Sequence, residues 1–342
     1  MLTIDEIEAA CGQRHVLNFS RHALEVPELT IWERFYPLGF AIDLRTNSPA
    51  ILAMARDLWM DFEPCFDNAP IQVDVHVVED EAGGSVPRHC PPAPVVRMMM
   101  PIIYSGADAE NCSIGNLEEG WTRIVLARGT ERYRNYLQYF FLGCAPLFHI
   151  AGSYATPIHG ACVAFRGRGI LLCGDSGAGK SSLSYACARA GWTFVSDDAS
   201  YLLQNERRDA QSIVVTGNCH QVRFRPSAGT LFPEIEGLEI TPRAAGKPSI
   251  EMATAGLSWM NCAATASIHH LVFLNRRASG AQVLLPYSKD VARCFLRQVL
   301  FGTPESLAMH YRSLDRLLNI KVWELRYSDL DWAVQRLQDL AG

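Results

Sequence analysis

The sequence lacks a long apolar run. The stretch that comes nearest, Tyr139 to Tyr154, is interrupted by Gly143, Pro146, His149 and Gly152. A membrane-spanning helix needs about 20 consecutive, mainly apolar residues. The sequence therefore predicts no spanning helix and no membrane partner.

A secretory signal and a cysteine framework are absent as well. The N-terminal stretch MLTIDEIEAACGQRH carries acidic residues and no basic start followed by an apolar core, so it does not predict export. The 11 cysteines are odd in number and scattered, without a CxxC pair. They lack the spacings that are typical of disulfide frameworks and zinc sites. We therefore expect reduced thiols and a cytoplasmic protein.

The chain has no excess of basic charge. Its 31 lysines and arginines are outnumbered by 36 aspartates and glutamates, which gives a net charge of -5. Such a balance produces no broad positive field that would attract nucleic acid or an anionic membrane. Neither is an expected partner.

A chain of 342 residues with 49% apolar residues can bury a large core and is long enough for two domains. Residues 1–150 mix strands such as Ile71 to Val78 with helical stretches such as Ser48 to Phe62, separated by breaks rich in proline and glycine at Gly83 to Pro94. This pattern predicts an α+β N-terminal domain. We assign it a role in recognising a substrate or partner.

From about Pro157, short apolar strands bounded by glycines predict an α/β nucleotide-binding domain over 151–342. Its first hairpin, helix and following strand are expected at Ala161–Cys173, Lys180–Ala190 and Trp192–Ser196. Gly191 follows the helix in the C-terminal cap position. The end of the chain is predicted to be helical, apart from a strand near Lys321 to Arg326.

The stretch Gly174 to Ser181, GDSGAGKS, fits the P-loop pattern GxxxxGK[ST] at every fixed position. Glycines let consecutive backbone amides converge on phosphate oxygens, and the lysine reaches the β- and γ-phosphates. The serine hydroxyl is a ligand for Mg²⁺, and the helix that follows directs its positive end at the anion. The predicted nucleotide-binding residues are Gly174, Asp175, Ser176, Gly177, Ala178, Gly179, Lys180, Ser181 and Ser182.

Two adjacent carboxylates, Asp197 and Asp198, follow the next predicted strand, 17 residues after Lys180. One can hold Mg²⁺ while the other accepts a proton from an attacking hydroxyl. The alternative is an acidic turn at the end of a strand. The chain has no NKxD motif and no LSGGQ signature, so the GTPase and transport-ATPase classes are not favoured.

The combination of His159-Gly160, GILLCGDSGAGKSS and ARAGWTFVSDDASYLL resembles the catalytic core of the HPr kinase/phosphorylase family. The P-loop fold of that family is related to phosphoenolpyruvate carboxykinase. The resemblance is tight over Pro157 to Leu203 and looser towards the C-terminus, where it extends to the branch that includes lasso-peptide precursor kinases. It implies ATP and Mg²⁺ as cofactors, and it allows a homo-oligomer.

By this resemblance His159 lies near the γ-phosphate, whereas without it a structural histidine is the simpler interpretation. Asp197 is assigned as the base and Asp198 as the metal carboxylate. The sequence departs from the family at Ser182, where kinase/phosphorylase members carry an acidic residue, and it lacks their arginine-rich signature. Phosphorolysis is therefore not expected.

Lys247, in RAAGKPSI, is the candidate for a cation on the transferring phosphoryl group, with an exposed loop lysine as the alternative. The same two interpretations apply to Arg223 and Arg225. The N-terminal 150 residues resemble the leader domain of HPr-kinase-related proteins encoded beside peptide-modification genes, so HPr itself is not the expected substrate.

Three functions remain open from the sequence. The leading hypothesis is an ATP-dependent kinase that phosphorylates a serine-type hydroxyl of a peptide or protein. The second is a kinase of a free small metabolite such as an amino acid or a sugar, because only the acceptor pocket would differ. The third is a regulatory module that hydrolyses nucleotide slowly.

Overall fold

A computed structural model describes residues 28–78, 89–204, 212–241, 248–277 and 279–342. The chain divides into two units. The N-terminal unit contains the described residues of 1–35, 41–60 and 68–147, and the C-terminal unit contains those of 36–40, 61–67 and 148–342. Helices and sheets are present in both units, so the predicted α/β class is confirmed at this level.

The N-terminal unit is built on a seven-stranded sheet. Its elements are β1 (Ile31–Phe35), β2 (Ile42–Thr46), α1 (Pro49–Trp59), β3 (Ile71–Val78), β4 (Val95–Met99), β5 (Ile102–Gly106), β6 (Cys112–Asn116), β7 (Trp121–Ala127) and α2 (Arg134–Leu137). The strand order is β1-β2-β3-β7-β6-β5-β4. Strand β3 is parallel to β2 and β7, and the other neighbours are antiparallel.

Strand β3 illustrates why this unit folds as it does. Ile71, Val73, Val75 and Val77 are buried and alternate with more exposed residues, which is the period of a strand with one face on the core. The prediction of a strand at Ile71 to Val78 is confirmed. The helix predicted from Ser48 starts one residue later, at Pro49, a first-turn position that proline favours.

The C-terminal unit carries the predicted nucleotide-binding elements. After α3 (Cys144–His149), within which the unit boundary falls, they are β8 (Ala155–Ile158), β9 (Gly160–Phe165), β10 (Arg168–Cys173), α4 (Lys180–Arg189), β11 (Thr193–Ser196), β12 (Ser200–Leu203), β13 (Val214–Gly217), β14 (Gln221–Phe224), β15 (Ile240–Thr241), β16 (Ser249–Ala253), β17 (Asn261–Cys262), β18 (Thr265–Arg276), β19 (Val283–Pro286), α5 (Lys289–Arg297), α6 (Pro304–Leu317), β20 (Lys321–Tyr327) and α7 (Leu330–Ala341). The predicted hairpin, helix, following strand and late strand are confirmed to within a few residues.

The large sheet of this unit runs β17-β11-β9-β10-β18-β13-β12-β8, with β20 pairing to β18 and β19 to β20. Strand β10 is antiparallel to β9 and parallel to β18, which is parallel to β20. Because β11 is antiparallel to β9, it runs in the direction of β10. The carboxyl ends of β10, β11, β18 and β20 therefore lie along one edge of the sheet. A small sheet, β14-β16-β15, completes the unit.

Strand β10 is buried on both faces. Ile170 and Leu172 pack in a cluster that includes residues of α4 and α7, whereas Leu171 and Cys173 pack in a second cluster with residues of α5 and α6. A continuous apolar run is typical of a strand that is covered on both sides by helices. The strand therefore holds the loop that follows it on a rigid base.

Within the part of the chain that the structure describes, no helix combines the length and the apolar character that crossing a bilayer demands.

Candidate active site

The glycine-rich loop connects the buried end of β10 to the first turn of α4. Gly174, Gly177 and Gly179 have φ values of 148°, 92° and 97°, which L-residues rarely adopt. A Cβ on Gly179 would lie 2.3 Å from the hydroxyl of Tyr327. The backbone path of the loop therefore requires glycine at these positions.

Tyr327, at the end of β20, fixes the loop from behind. Its ring is buried, and its hydroxyl donates to the carbonyl of Ala178 at 3.0 Å. In a planar trans peptide, the N–H that follows a carbonyl points to the opposite side. The contact with Tyr327 therefore turns the amide of Gly179 away from the core.

Lys180 lies over the first residues of the loop. Its ammonium donates to the carbonyls of Gly174 at 2.7 Å and Asp175 at 3.3 Å. Burial lowers the pKa of Lys180, and the carboxylates around it, Asp198 first among them, oppose that effect. The group is a cation held at the start of the loop, where it can transfer its hydrogen bonds to an incoming phosphate.

The two aspartates after β11 have different surroundings. Asp197 is 8% exposed, and its Oδ2 accepts a hydrogen bond from the backbone N–H of Arg223 at 2.7 Å. The Asp198 side chain is 62% exposed. Burial raises the pKa of Asp197 to about 7, although the hydrogen bond from Arg223 acts in the opposite direction. The pair thus contains one buried carboxyl that titrates near neutrality and one carboxyl in contact with solvent.

His159 lies between β8 and β9, with its Nε2 3.8 Å from Oδ1 of Asp198. Burial and the nearby Lys180 ammonium lower the pKa of His159, against the effect of Asp198. The ring is therefore mostly neutral at pH 7 and can donate a hydrogen bond from one nitrogen.

These side chains meet in a cavity of about 480 Å³, which we call the charged cavity. Its walls include most of the loop and both aspartates. The members with polar or charged side chains are His159, Ser176, Lys180, Ser181, Ser182, Asp197, Asp198, Arg223, Arg225, Ser227, Thr230, Ser249 and Arg276. The predicted residues Gly177 and Gly179 also line it, whereas Gly174, Asp175 and Ala178 face a second cavity.

Arg223 and Arg225, two arginines of the charged cavity, make different contacts. Arg223 pairs with Glu251 at 3.3 Å, and its backbone holds Asp197. Arg225 reaches the loop, with its guanidinium 3.4 Å from the hydroxyl of Ser176. Lys247, the candidate cation of the sequence analysis, lies outside the described residues.

Arg276 was missed by the sequence analysis. It is the last residue of β18, the strand parallel to β10, and it lines both cavities. The available signal was its place after the apolar run LVFL, because polar side chains at the carboxyl ends of parallel strands face ligands. Arg276 is thus a third cation beside the loop, after Lys180 and Arg225.

Mg²⁺ is the ion that the P-loop and the resemblance imply. Among the described residues, no group of three or more His, Cys, Asp and Glu side chains is placed to hold a metal ion. Mg²⁺ is commonly held by one or two carboxylates together with phosphate oxygens and water. The Ser181 hydroxyl, 3.5 Å from the carbonyl oxygen of Asp197, and the exposed Asp198 face the same cavity. This donor set fits an Mg²⁺ ion that arrives with a nucleotide.

No family model matches the chain, and no curated protein matches its sequence. Solved structures do match, and one of them is the HPr(Ser) kinase/phosphatase from Coxiella burnetii, with 14% sequence identity and a TM-score of 0.30. That match covers 54% of this chain and 91% of the other chain. A structural match with a TM-score this low carries no argument about function.

Proposed function

We propose that this protein is an ATP-dependent kinase that transfers the γ-phosphoryl group to a serine-type hydroxyl of a peptide or protein. The observation that carries the proposal is the charged cavity, in which Lys180 and the buried carboxyl of Asp197 face the same space. A phosphoryl group held by the lysine would thus lie beside a group that can accept a proton.

The glycine-rich loop would bind the triphosphate. Its backbone amides and the first turn of α4 supply donors, and Lys180 supplies a positive charge for the β- and γ-phosphates. Ser181 and Asp198 would hold Mg²⁺. When bound, this ion neutralises charge on the phosphate oxygens. Arg225 and Arg276 add positive charge to the cavity wall.

Asp197 is the proposed base. A pKa of about 7 leaves roughly half of these carboxyls ionised at neutral pH, and a base is most effective when its pKa lies near the working pH. The backbone N–H of Arg223 holds Oδ2, which leaves Oδ1 to accept the proton. Asp198 is better suited to the metal because it is exposed.

The acceptor oxygen forms a bond to the γ-phosphorus while the bond from that phosphorus to the bridging oxygen of ADP breaks. The proton of the acceptor hydroxyl passes to Asp197, and the negative charge of the leaving ADP is compensated by Lys180. His159, mostly neutral at pH 7, can donate a hydrogen bond to a phosphoryl oxygen.

The class of acceptor comes from the sequence resemblance over Pro157 to Leu203 and from the role proposed for the N-terminal 150 residues in recognition. Because Ser182 replaces the acidic residue of kinase/phosphorylase members, we expect no phosphorolysis.

Incubation with γ-labelled ATP and Mg²⁺, together with a lysate of the source cell as the pool of acceptors, tests the proposal. We expect acid-stable label on a polypeptide. Label on a small molecule would mean that the acceptor is a free metabolite rather than a peptide or protein. Label released only slowly to water would mean that the protein is a regulatory nucleotide-binding module rather than a kinase.

A further inference from the structure

We infer that a second cavity beside the glycine-rich loop is the acceptor subsite, and that it receives an apolar side chain next to the hydroxyl that is phosphorylated. We call it the aromatic cavity after Phe273, Tyr287 and Phe295 in its wall. The inference rests on the proposed function, because it assigns the acceptor for the same transfer.

The aromatic cavity measures about 390 Å³ and adjoins the charged cavity. The two share Gly177 and Arg276 in their walls. Gly174 and Asp175, where the loop begins, line only the aromatic cavity, whereas Ser181 and Ser182, where α4 begins, line only the charged cavity. The loop therefore presents its two ends to different spaces.

The position of Lys180 decides which end of the triphosphate faces the aromatic cavity. The ammonium lies 2.7 Å from the Gly174 carbonyl and 3.3 Å from that of Asp175, and a P-loop lysine reaches the β- and γ-phosphates. The γ-phosphate therefore lies at the start of the loop. The ribose and base must extend the other way, past Ser181 and Ser182, within the charged cavity.

An acceptor has to approach the γ-phosphorus on the side away from the leaving oxygen, since the attacking and leaving oxygens are roughly in line. The aromatic cavity opens at that end. His159 marks the junction, because its ring lies 6.5 Å from the ring of Phe295 while its Nε2 lies 3.8 Å from Asp198. A molecule bound against Phe295 would thus have its hydroxyl near the paired aspartates.

One wall of the aromatic cavity consists of three packed rings. Tyr287 stacks on Phe273 with centroids 4.7 Å apart and an interplanar angle of 23°. Phe295 meets Phe273 edge to face at 5.3 Å. Phe273 is buried, whereas Tyr287 and Phe295 are only partly covered, so they present ring surface to a ligand.

The wall of the aromatic cavity also carries two acidic residues, Asp175 and Glu324. Asn275 and Arg326 donate to Glu324 at 2.6 and 2.8 Å, which fixes that carboxylate and compensates its charge, and Asp175 is exposed. An acidic neighbour of the acceptor hydroxyl would be repelled by Asp175. Together with the partly exposed rings of Tyr287 and Phe295, this repulsion favours an aromatic or aliphatic side chain.

The test uses four short peptides of the form acetyl-Gly-Ser-X-Gly-amide, with X as Phe, Leu, Gly or Glu. With the whole protein, ATP and Mg²⁺, we expect kcat/KM to be highest for Phe and Leu and lowest for Glu. Phe295→Ala should raise KM for the Phe peptide about tenfold, as expected for loss of an aromatic contact in a pocket. Phe295→Leu should restore most of that affinity, because it retains apolar volume.

Binding of a fluorescent ATP analogue, labelled on its ribose, is measured in the same variants and should change less than about twofold. Val291→Ala is the matched control, because Val291 lies on the same helix, is 51% exposed and is not part of the cavity wall. It should change neither quantity.

Weaker binding of the ATP analogue to Phe295→Ala, with acceptor KM unchanged, would make the aromatic cavity the nucleoside pocket and overturn the inference. The same peptide ranking in wild type and Phe295→Ala would also overturn it, as would ATP binding with no peptide labelled. Failure of the wild type to bind the analogue at all would instead refute the proposed function.

Discussion

The charged cavity and the aromatic cavity lie on two sides of one loop but are assembled in different ways. Lys180, Ser181, Asp197 and Asp198, which supply the charged cavity with its chemistry, belong to one strand-loop-helix-strand stretch. The residues that line the aromatic cavity come from four separate elements. They are Phe273 of β18, Tyr287 of the segment before α5, Phe295 of α5 and Glu324 of β20.

Under the proposed function, the transfer chemistry depends mainly on one continuous stretch of the chain, whereas acceptor choice depends on tertiary packing. Substitutions in the charged cavity should affect every acceptor alike, and those in the aromatic cavity should distinguish one acceptor from another.

Lys180→Ala should have the largest effect on transfer, and that effect should not depend on the acceptor. We expect kcat to fall by roughly 10³ to 10⁵, the range that a single cation contributes at a transferring phosphoryl group, with the same fall for every acceptor. The measurement is initial rate of transfer, with Lys321→Ala on the exposed start of β20 as the control. A fall for only some acceptors would show that the lysine acts in acceptor choice.

Asp197→Asn should stabilise the protein at high pH. Because the folded-state pKa of about 7 lies above the ordinary 3.8, the folded protein binds more protons, and stability is lost as pH rises from about 4 to 7. Asparagine removes this loss, which amounts to about 4 kcal/mol at most, and keeps an oxygen for the Arg223 amide. The increase in unfolding midpoint of Asp197→Asn over wild type should thus be larger at pH 8 than at pH 5.

The exposed neighbour provides the control for that prediction, since Asp198→Asn should change the midpoint little at either pH. A stability gain of equal size at pH 5 and pH 8 would mean that the gain does not come from titration of Asp197.

Asp198→Asn should alter the Mg²⁺ requirement instead. If Asp198 holds the ion, its loss should raise the Mg²⁺ concentration that ATP binding requires by roughly 10- to 100-fold, a span typical of altered metal sites. High Mg²⁺ should therefore partly restore binding. Affinity for ATP is titrated against Mg²⁺ in both aspartate variants. A Mg²⁺-dependent defect in Asp197→Asn alone would mean that Asp197 holds the ion and Asp198 is the base.

Tyr327→Phe should give the smallest effect. Loss of the hydrogen bond to the Ala178 carbonyl removes about 0.5 to 1.5 kcal/mol, so ATP affinity should fall about two- to tenfold while acceptor KM is unchanged. Tyr311→Phe, at an exposed position on α6, is the control. A change in acceptor KM alone would mean that Tyr327 serves the aromatic cavity.

Much of the charged cavity could be predicted because its parts are close in sequence. The pattern Gly174 to Ser181 requires a strand before it and a helix after it, and both are present in the structure. The next strand along the chain, β11, then brings Asp197 and Asp198 to the same edge of the sheet, although β9 lies between β11 and β10. Few long-range contacts are needed to assemble this part of the site.

The rest depended on contacts that no local pattern contains. Nothing in the sequence near Asp197 shows that the backbone of Arg223 would bind it, or that burial would raise its pKa to about 7. Arg276 and Tyr327 reach the loop only because β18 lies beside β10 in the sheet and β20 lies beside β18. Side chains on separate strands acquire a common role through strand order, which the sequence did not predict.

In the proposed reaction, the buried carboxyl of Asp197 accepts the proton of a hydroxyl that attacks a phosphate held by Lys180. The most direct test is the single-turnover rate of phosphoryl transfer from pH 5.5 to 8.5 at saturating Mg²⁺, a range of roughly 1.5 either side of the Asp197 pKa. For the wild type, the rate should rise with pH, reach half of its maximum near pH 7, and level off about one pH unit higher, as the carboxyl becomes fully ionised. Asp197→Asn should bind ATP normally, transfer 10² to 10⁴ times more slowly, roughly the contribution of a positioned base, and lose this rise. A wild-type rate that is independent of pH, or an Asp197→Asn variant with wild-type turnover, would contradict the account.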